Sequence, residues 1–198
     1  MNKIYLSQNH FMDWLQSPDQ MLKRCNKNSS KLSEKAQKFC DFGTMIHHRV
    51  KLLYPDGIEP TDNRTIETYQ SQSKALLKAN IPLFEPQFQY DGLFARLDIL
   101  LPTDGGTWEL IEVKSAKNVH DDWVKYTAFL YYISINAGVN ISKCSILHLK
   151  KYITADIPLN QIFDKTDITD RVINMQNEIV ENIEQMREFV KNKESNNV

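Results

Sequence analysis

The chain has 198 residues, 41% hydrophobic and 25% charged, and its 24 basic and 25 acidic side chains give a net charge of −1. These values predict one globular domain over residues 1–198 and count against a stand-alone DNA binder that depends on overall positive charge. No apolar run reaches the roughly 18 residues that a membrane helix needs. Since the N-terminus also lacks a signal-peptide pattern, we expect a cytoplasmic protein without membrane contact.

The early part of the chain has the spacing of helices. Ser7 suits a helix N-cap, and apolar residues follow at helical intervals until Pro18 interrupts them. A second helix is predicted over about 33–53 and a third over 62–79. Gly43 lies inside the second helix, where a glycine costs about 1 kcal/mol relative to alanine. A backbone or ligand that passes close by would explain why the glycine is tolerated.

The pattern changes to strands after residue 81. Strands are predicted over 83–90, 93–101 and 107–114, and the turn residues Asp91-Gly92 and 103–106 separate them. Two hairpin turns that join three strands make an antiparallel meander.

A helix over 121–137 and a strand over 143–149 follow, an order that favours a crossover onto the same sheet. The predicted fold class is therefore α/β, with a central mixed sheet of a meander plus a crossover strand, flanked by helices. The predicted organisation is N-terminal helices 7–79, meander 83–115, helix and strand 119–150, and C-terminal helix 168–192.

The second hairpin of the meander carries the most informative residues. If its turn is Asp104-Gly105-Gly106, antiparallel pairing places Asp98 opposite Glu112, with side chains about 5 Å apart. Lys114 shares that face. Two carboxylates among apolar neighbours repel each other, and a divalent cation would remove the repulsion. The alternative is a lysine–carboxylate ion pair on an exposed sheet face.

The order Asp98, thirteen residues, then Glu112-Val113-Lys114 resembles the signature of the PD-(D/E)XK nuclease superfamily. Residues 43–47, GTMIH, resemble the G-x-x-x-H motif of its RecB-like branch, and TWELIEVKSAK over 107–117 is similar to that branch's catalytic strand. The wider pattern over about 5–152 resembles uncharacterised bacterial RecB-like nucleases, which are related to the exonucleases of CRISPR adaptation. This resemblance implies a restriction-endonuclease-like core.

The resemblance also implies an activity: hydrolysis of DNA phosphodiester bonds that depends on Mg²⁺ or Mn²⁺, in an exonuclease-like manner. Its implied catalytic residues are Asp98, Glu112 and Lys114, and its implied metal ligands are His47, Asp98, Glu112 and the Val113 carbonyl. His48 is the alternative to His47 as the histidine that faces inward. DNA is the expected partner, and whether a helicase or another protein delivers it stays open.

Four further residues are candidates for contact with the substrate, each with an ordinary structural alternative. Glu85 and Gln87 share one face of the first meander strand, where Gln87 could touch the substrate. Glu85 could also approach the metal, or equally be an edge-strand carboxylate. Tyr131 could stack on a base or belong to the core. Lys117 could contact a phosphate or be a solvated surface charge.

The sequence departs from the family pattern at two places, the cysteines and the Q-x-x-x-Y motif. The cysteines Cys25, Cys40 and Cys144 do not match the four that hold an iron–sulfur cluster in some relatives, so we expect no such cluster. Leu130 stands where many relatives have the glutamine of a Q-x-x-x-Y motif that guides DNA. Two alternatives therefore remain: a catalytically silent nucleic-acid-binding or assembly module on this fold, and a structural domain with a coincidental acidic pair.

Overall fold

The computed structural model describes residues 5–25, 34–61, 65–150, 157–158 and 161–195. The helices are α1 (Gln8–Gln16), α2 (Pro18–Cys25), α3 (Glu34–Lys51), α4 (Ile66–Leu76), α5 (Asp121–Asn136), α6 (Thr169–Asn174) and α7 (Gln176–Ser195). The strands are β1 (Leu6–Ser7), β2 (Leu83–Phe84), β3 (Gln87–Tyr90), β4 (Leu93–Arg96), β5 (Ile99–Thr103), β6 (Thr107–Lys114), β7 (Ile141–Leu149) and β8 (Phe163–Asp167).

The strands form two sheets. The larger has the order β2-β5-β6-β7-β8, and the smaller has the order β1-β4-β3. In the larger sheet β5 and β6 are antiparallel, whereas β6 and β7 are parallel and are connected through α5. The prediction of a mixed α/β sheet with a helical crossover is therefore confirmed.

The meander is bent where continuous strands were expected. The predicted strands over 83–90 and 93–101 are each divided, the first at Glu85-Pro86 and the second at Leu97-Asp98. Pro86 has no N–H to donate, and Glu85 adopts a left-handed conformation with φ of 52°. The Glu85 N–H donates to the Asp98 carbonyl at 3.1 Å, and the Leu97 N–H donates to the Pro86 carbonyl at 3.0 Å. The two breaks therefore lie side by side, and the strands beyond them join different sheets.

The second hairpin has the predicted register. Ile99 pairs with Ile111 and Leu100 pairs with Leu110, around a short 3-10 turn at Asp104–Gly106. Continued by one residue, this register sets Asp98 opposite Glu112.

Several element boundaries differ from the prediction. The C-terminal helix predicted over 168–192 is two helices, α6 and α7, separated at Met175. Strand β8 was not predicted, because its sequence FDKTD has little apolar alternation and lies at a sheet edge, where polar residues are tolerated. Residues 26–33 and 62–64, part of the predicted N-terminal region, lie outside the described residues.

Two apolar clusters cover the two faces of the larger sheet. The first includes Leu100, Leu110 and Ile146 and packs against α1, α5 and α7; within it, the rings of Phe11 and Phe129 stack at 4.5 Å. The second includes Ile99, Ile111 and Leu147 and packs against α3. These clusters fix α3 and α5 on opposite faces of strand β6. None of the described helices is long and apolar enough to cross a membrane.

Candidate active site

A groove of about 800 Å³ opens where α3 and α4 face the bend in the meander. Its lining includes His47 and Lys51 from α3, Tyr69 from α4, and Glu85 and Asp98 from the two breaks. The bend therefore turns two carboxylates from neighbouring strands toward the same space.

Three of the groove residues form a compact set of metal-type ligands. One ligand atom each of His47, Glu85 and Asp98 lies within 4.8 Å of the other two. The His47 Nδ1 atom is 3.5 Å from a Glu85 carboxylate oxygen and 3.9 Å from Asp98 Oδ1. Glu85 thus joins the cluster in which the sequence had suggested Glu112.

The orientation of α3 explains which histidine faces the carboxylates. Ile46 and Val50 are buried against the sheet and fix the rotation of the helix. His47 then lies beside the bend and is only partly exposed, whereas His48 is exposed. Gly43 lies one turn before His47 on the groove side, and a Cβ atom added there would meet nothing within 4 Å. Among the described residues, no backbone outside the helix itself packs against this glycine, so the space beside it is open groove.

Glu112 and Lys114 lie on the other side of Asp98, beneath α5. Lys114 Nζ donates to Glu112 Oε1 at 2.7 Å and stands 4.5 Å from the centre of the Tyr126 ring. Asp98 Oδ2 accepts the Val113 N–H at 2.7 Å. Asp98 therefore lies between the His47–Glu85 pair and the Glu112–Lys114 pair.

Burial dominates the ionisation of the carboxylates beneath the groove. Burial and the nearby charge of Asp98 raise the pKa of Glu112 to about 8, although Lys114 opposes the shift. The pKa of Asp98 is also raised, chiefly by burial, against the opposing effects of Lys114 and the Val113 N–H. Without a further cation, the pair is therefore poorly compensated for the loss of water.

Glu85 and Lys114 are shifted in the direction that favours their charged forms. Burial opposes ionisation of Glu85, but a hydrogen bond from His47 and the charge of Arg96 hold its pKa below the ordinary value. Burial likewise opposes the charge on Lys114, yet Glu112 and Asp98 raise its pKa.

A second buried glutamate gives a useful contrast with Glu112. Glu109 is equally buried, but one carboxylate oxygen accepts from Ser145 at 2.6 Å and the other accepts from Lys165 at 2.9 Å. Glu112 Oε2 is buried and has no hydrogen-bond partner in the described part of the chain. Since buried carboxylate oxygens are normally satisfied, this oxygen fits a role as a ligand for a hard divalent cation. The donor set of carboxylates and one imidazole fits Mg²⁺ or Mn²⁺.

The structure brings some of the candidate substrate residues to the groove and not others. Glu85 and Gln87 line it. Tyr131 is packed against the first apolar cluster, and burial beside Cys144 raises its pKa. Its position therefore favours a role in the core over stacking on a base. Lys117 is exposed in the loop after β6 and is not among the described groove residues. Val113 contacts Asp98 through its N–H, and its carbonyl remains a predicted ligand.

Arg96 is a groove residue that the sequence argument missed. Its Nε atom is 3.2 Å from Glu85 Oε2, and it pairs across the small sheet with Gln87. Its position two residues before Asp98, on the same side of the strand, was the signal that could have identified it.

No protein-family model matches the chain, and no curated protein sequence matches it significantly. Among solved structures, it resembles the alkaline exonuclease LHK-Exo from Laribacter hongkongensis, with a TM-score of 0.49 and 13% identity. The structure of LHK-Exo in complex with dAMP gives a TM-score of 0.47 and 12% identity. Each superposition covers 98% of this chain and 95% of the exonuclease. Identity and TM-score are both too low to transfer a function to this chain.

Proposed function

We propose that the protein is a nuclease that hydrolyses DNA phosphodiester bonds with a divalent cation, Mg²⁺ or Mn²⁺, in the manner of RecB-like PD-(D/E)XK enzymes. The observation that carries the proposal is Asp98, which lies between an imidazole–carboxylate pair and a glutamate–lysine pair. A structural ion pair would not need a second buried acid with an oxygen that has no hydrogen-bond partner among the described residues.

The proposed cation ligands are His47, Asp98, Glu112 and the Val113 carbonyl, with Glu85 as an addition that the groove suggests. When bound, the cation supplies Lewis acidity, which lowers the pKa of a water molecule and offsets negative charge on the phosphoryl group.

Lys114 is the proposed general acid–base or charge-stabilising residue. Its ammonium group is held by Glu112 and by the face of the Tyr126 ring, so it has a fixed position beside the acidic pair. From there it can orient a water molecule or stabilise charge on the phosphoryl oxygens. These two roles need the charged lysine in a fixed position, whereas an acid–base role also needs it to lose its proton, which its raised pKa opposes.

The direct test is degradation of single- and double-stranded DNA in Mg²⁺ or Mn²⁺. We expect the wild-type protein to degrade DNA and EDTA to abolish the activity. We expect Lys114→Ala to lower the rate at least about a hundredfold, the usual effect of removing one acid–base group. Lys78→Ala, which changes an exposed lysine outside the described groove, is the matched control. Equal rates for Lys114→Ala and wild type would remove Lys114 from the mechanism.

A catalytically silent nucleic-acid-binding module is the second candidate. It is favoured by Leu130, which is fully buried in the core and offers no amide for guiding DNA. Binding of DNA by wild-type protein without cleavage in either metal would favour this second function.

A further inference from the structure

The described groove contains two side chains with a permanent positive charge, and both are paired with carboxylates. Lys51 Nζ is 2.5 Å from Glu59 Oε2, and Arg96 Nε is 3.2 Å from Glu85 Oε2. An anionic substrate therefore meets a groove whose positive charges are already engaged. The two pairs differ in one respect, because Glu85 belongs to the compact ligand set with His47 and Asp98, whereas Glu59 does not.

Both the backbone and the side chain of Glu85 are constrained by neighbouring residues. Its left-handed φ of 52° is unusual for a residue with a Cβ, and its N–H is bonded to the Asp98 carbonyl. The carboxylate is thereby fixed between two neighbours. One oxygen faces His47 Nδ1 at 3.5 Å, and the other faces Arg96.

Arg96 is the more exposed partner in this contact. Its side chain is 58% exposed, against 19% for Glu85. The contact is made through Nε, at 3.2 Å from Glu85 Oε2. A guanidinium offers five N–H donors in a planar fork that matches a phosphate group.

From these contacts we propose that Arg96 exchanges partners: it neutralises Glu85 until a divalent cation binds, and it then turns to a phosphate of the nucleic acid. The inference rests on the proposed function, because it assigns that site a residue for binding the substrate. A cation among His47, Glu85 and Asp98 makes the charge of Arg96 redundant, and two cations close together repel each other. The released guanidinium lies beside Gln87 on the same groove wall, where an incoming phosphate can accept its hydrogen bonds.

The exchange predicts opposite effects of one substitution on two affinities. Arg96→Gln removes a cation that competes for Glu85, so it should tighten the binding of Mn²⁺ about threefold, the size expected for a partly exposed ion pair. The same change should weaken the binding of DNA to the metal-loaded protein about tenfold, because one charge-assisted hydrogen bond is lost. A residue with only a structural role would not move the two affinities in opposite directions.

Both affinities can be measured without turnover. Free Mn²⁺ is counted by electron paramagnetic resonance, and binding of a short single-stranded oligonucleotide is followed by fluorescence anisotropy in a Lys114→Ala background. Arg171→Gln is the matched control, because it breaks an exposed arginine–aspartate pair, with Asp121, outside the described groove. Thermal denaturation of each variant checks that the fold is retained.

Weaker or unchanged Mn²⁺ binding by Arg96→Gln would overturn the exchange. Unchanged oligonucleotide binding in the presence of Mn²⁺ would overturn the phosphate contact. If the protein binds Mn²⁺ but neither binds nor degrades DNA, the proposed function fails, and the phosphate contact fails with it. In that case the Mn²⁺ measurement alone still decides whether Arg96 competes with the cation.

Discussion

At the scale of single residues, the two buried glutamates of strand β6 separate structure from chemistry. Glu109 has a partner on each oxygen and belongs to a satisfied network with Ser145 and Lys165. Glu112 has a lysine on one oxygen and none on the other. The sequence identified Glu112 as a site residue and offered Glu85 only with an equal structural alternative. The position of Glu85 depends on a left-handed backbone conformation that no local sequence pattern predicts.

The raised pKa of Glu112 predicts how the affinity for the cation depends on pH. Because the pKa of Glu112 is raised to about 8, a cation that takes Glu112 as a ligand would have to displace its proton below that pH. The affinity for Mn²⁺ should therefore rise with pH, by up to about tenfold per unit, and level off above pH 8. Calorimetric titration at pH 6.5, 7.5 and 8.5 in two buffers of different ionisation enthalpy measures both the affinity and the protons released. We expect Glu112→Gln to flatten the slope. A wild-type affinity that does not change with pH would contradict the protonated carboxyl.

The raised pKa of Glu112 also makes the metal-free protein less stable as the pH rises. The unfolded chain releases the Glu112 proton near its ordinary pKa of 4.5, whereas the folded protein holds it until about 8. The free energy of unfolding contributed by this group is thus fully present below pH 4.5 and falls as the pH rises toward 8.

At the scale of secondary-structure elements, the regular parts follow from the sequence and the irregular parts do not. The hairpin register, the Ser7 N-cap and the α5 crossover are fixed by turn residues and by apolar periodicity. The division of the meander into two sheets depends on paired breaks in neighbouring strands, which are non-local contacts. In the sequence, Pro86 indicates the first break, and no residue indicates the second.

Helix α3 carries a testable conflict between stability and function at Gly43. Replacing a helical glycine by alanine stabilises a helix by about 0.5–1 kcal/mol, and the added Cβ meets nothing within 4 Å. If the substrate strand occupies that open space, Gly43→Ala should raise both Tm and the KM for DNA. Thermal denaturation and steady-state cleavage assays measure the two effects.

The control for this change is Gln37→Ala, an exposed position on the same helix but outside the described groove. It should alter the helix propensity slightly and leave KM as it is. A stabilised Gly43→Ala protein with wild-type KM would mean that the substrate does not pass beside α3.

At the scale of the whole molecule, the near-neutral charge and the carboxylate-rich groove have a common consequence. Its described acidic groups, Glu59, Glu85 and Asp98, outnumber the two cations that pair with them. Overall positive charge therefore would not attract the proposed nucleic-acid substrate, and the proposed cation would have to supply much of the attraction. The composition alone predicted weak attraction for nucleic acid in the absence of a metal ion. The pairing of Lys51 and Arg96 with carboxylates could not be predicted, because it depends on contacts between elements that are distant in the chain.

Mn²⁺ binding by an Asp98→Asn variant tests whether Asp98 is the shared ligand of a divalent cation. The substitution keeps the shape of the side chain and an oxygen that can accept the Val113 N–H, so the fold should survive. Asp91→Asn, which removes a carboxylate at the exposed turn beside Arg187, is the control. We predict that Asp98→Asn binds Mn²⁺ at least about tenfold more weakly, since a hard cation loses a charged oxygen ligand. Equal affinity in Asp98→Asn, Asp91→Asn and the wild-type protein would contradict the account.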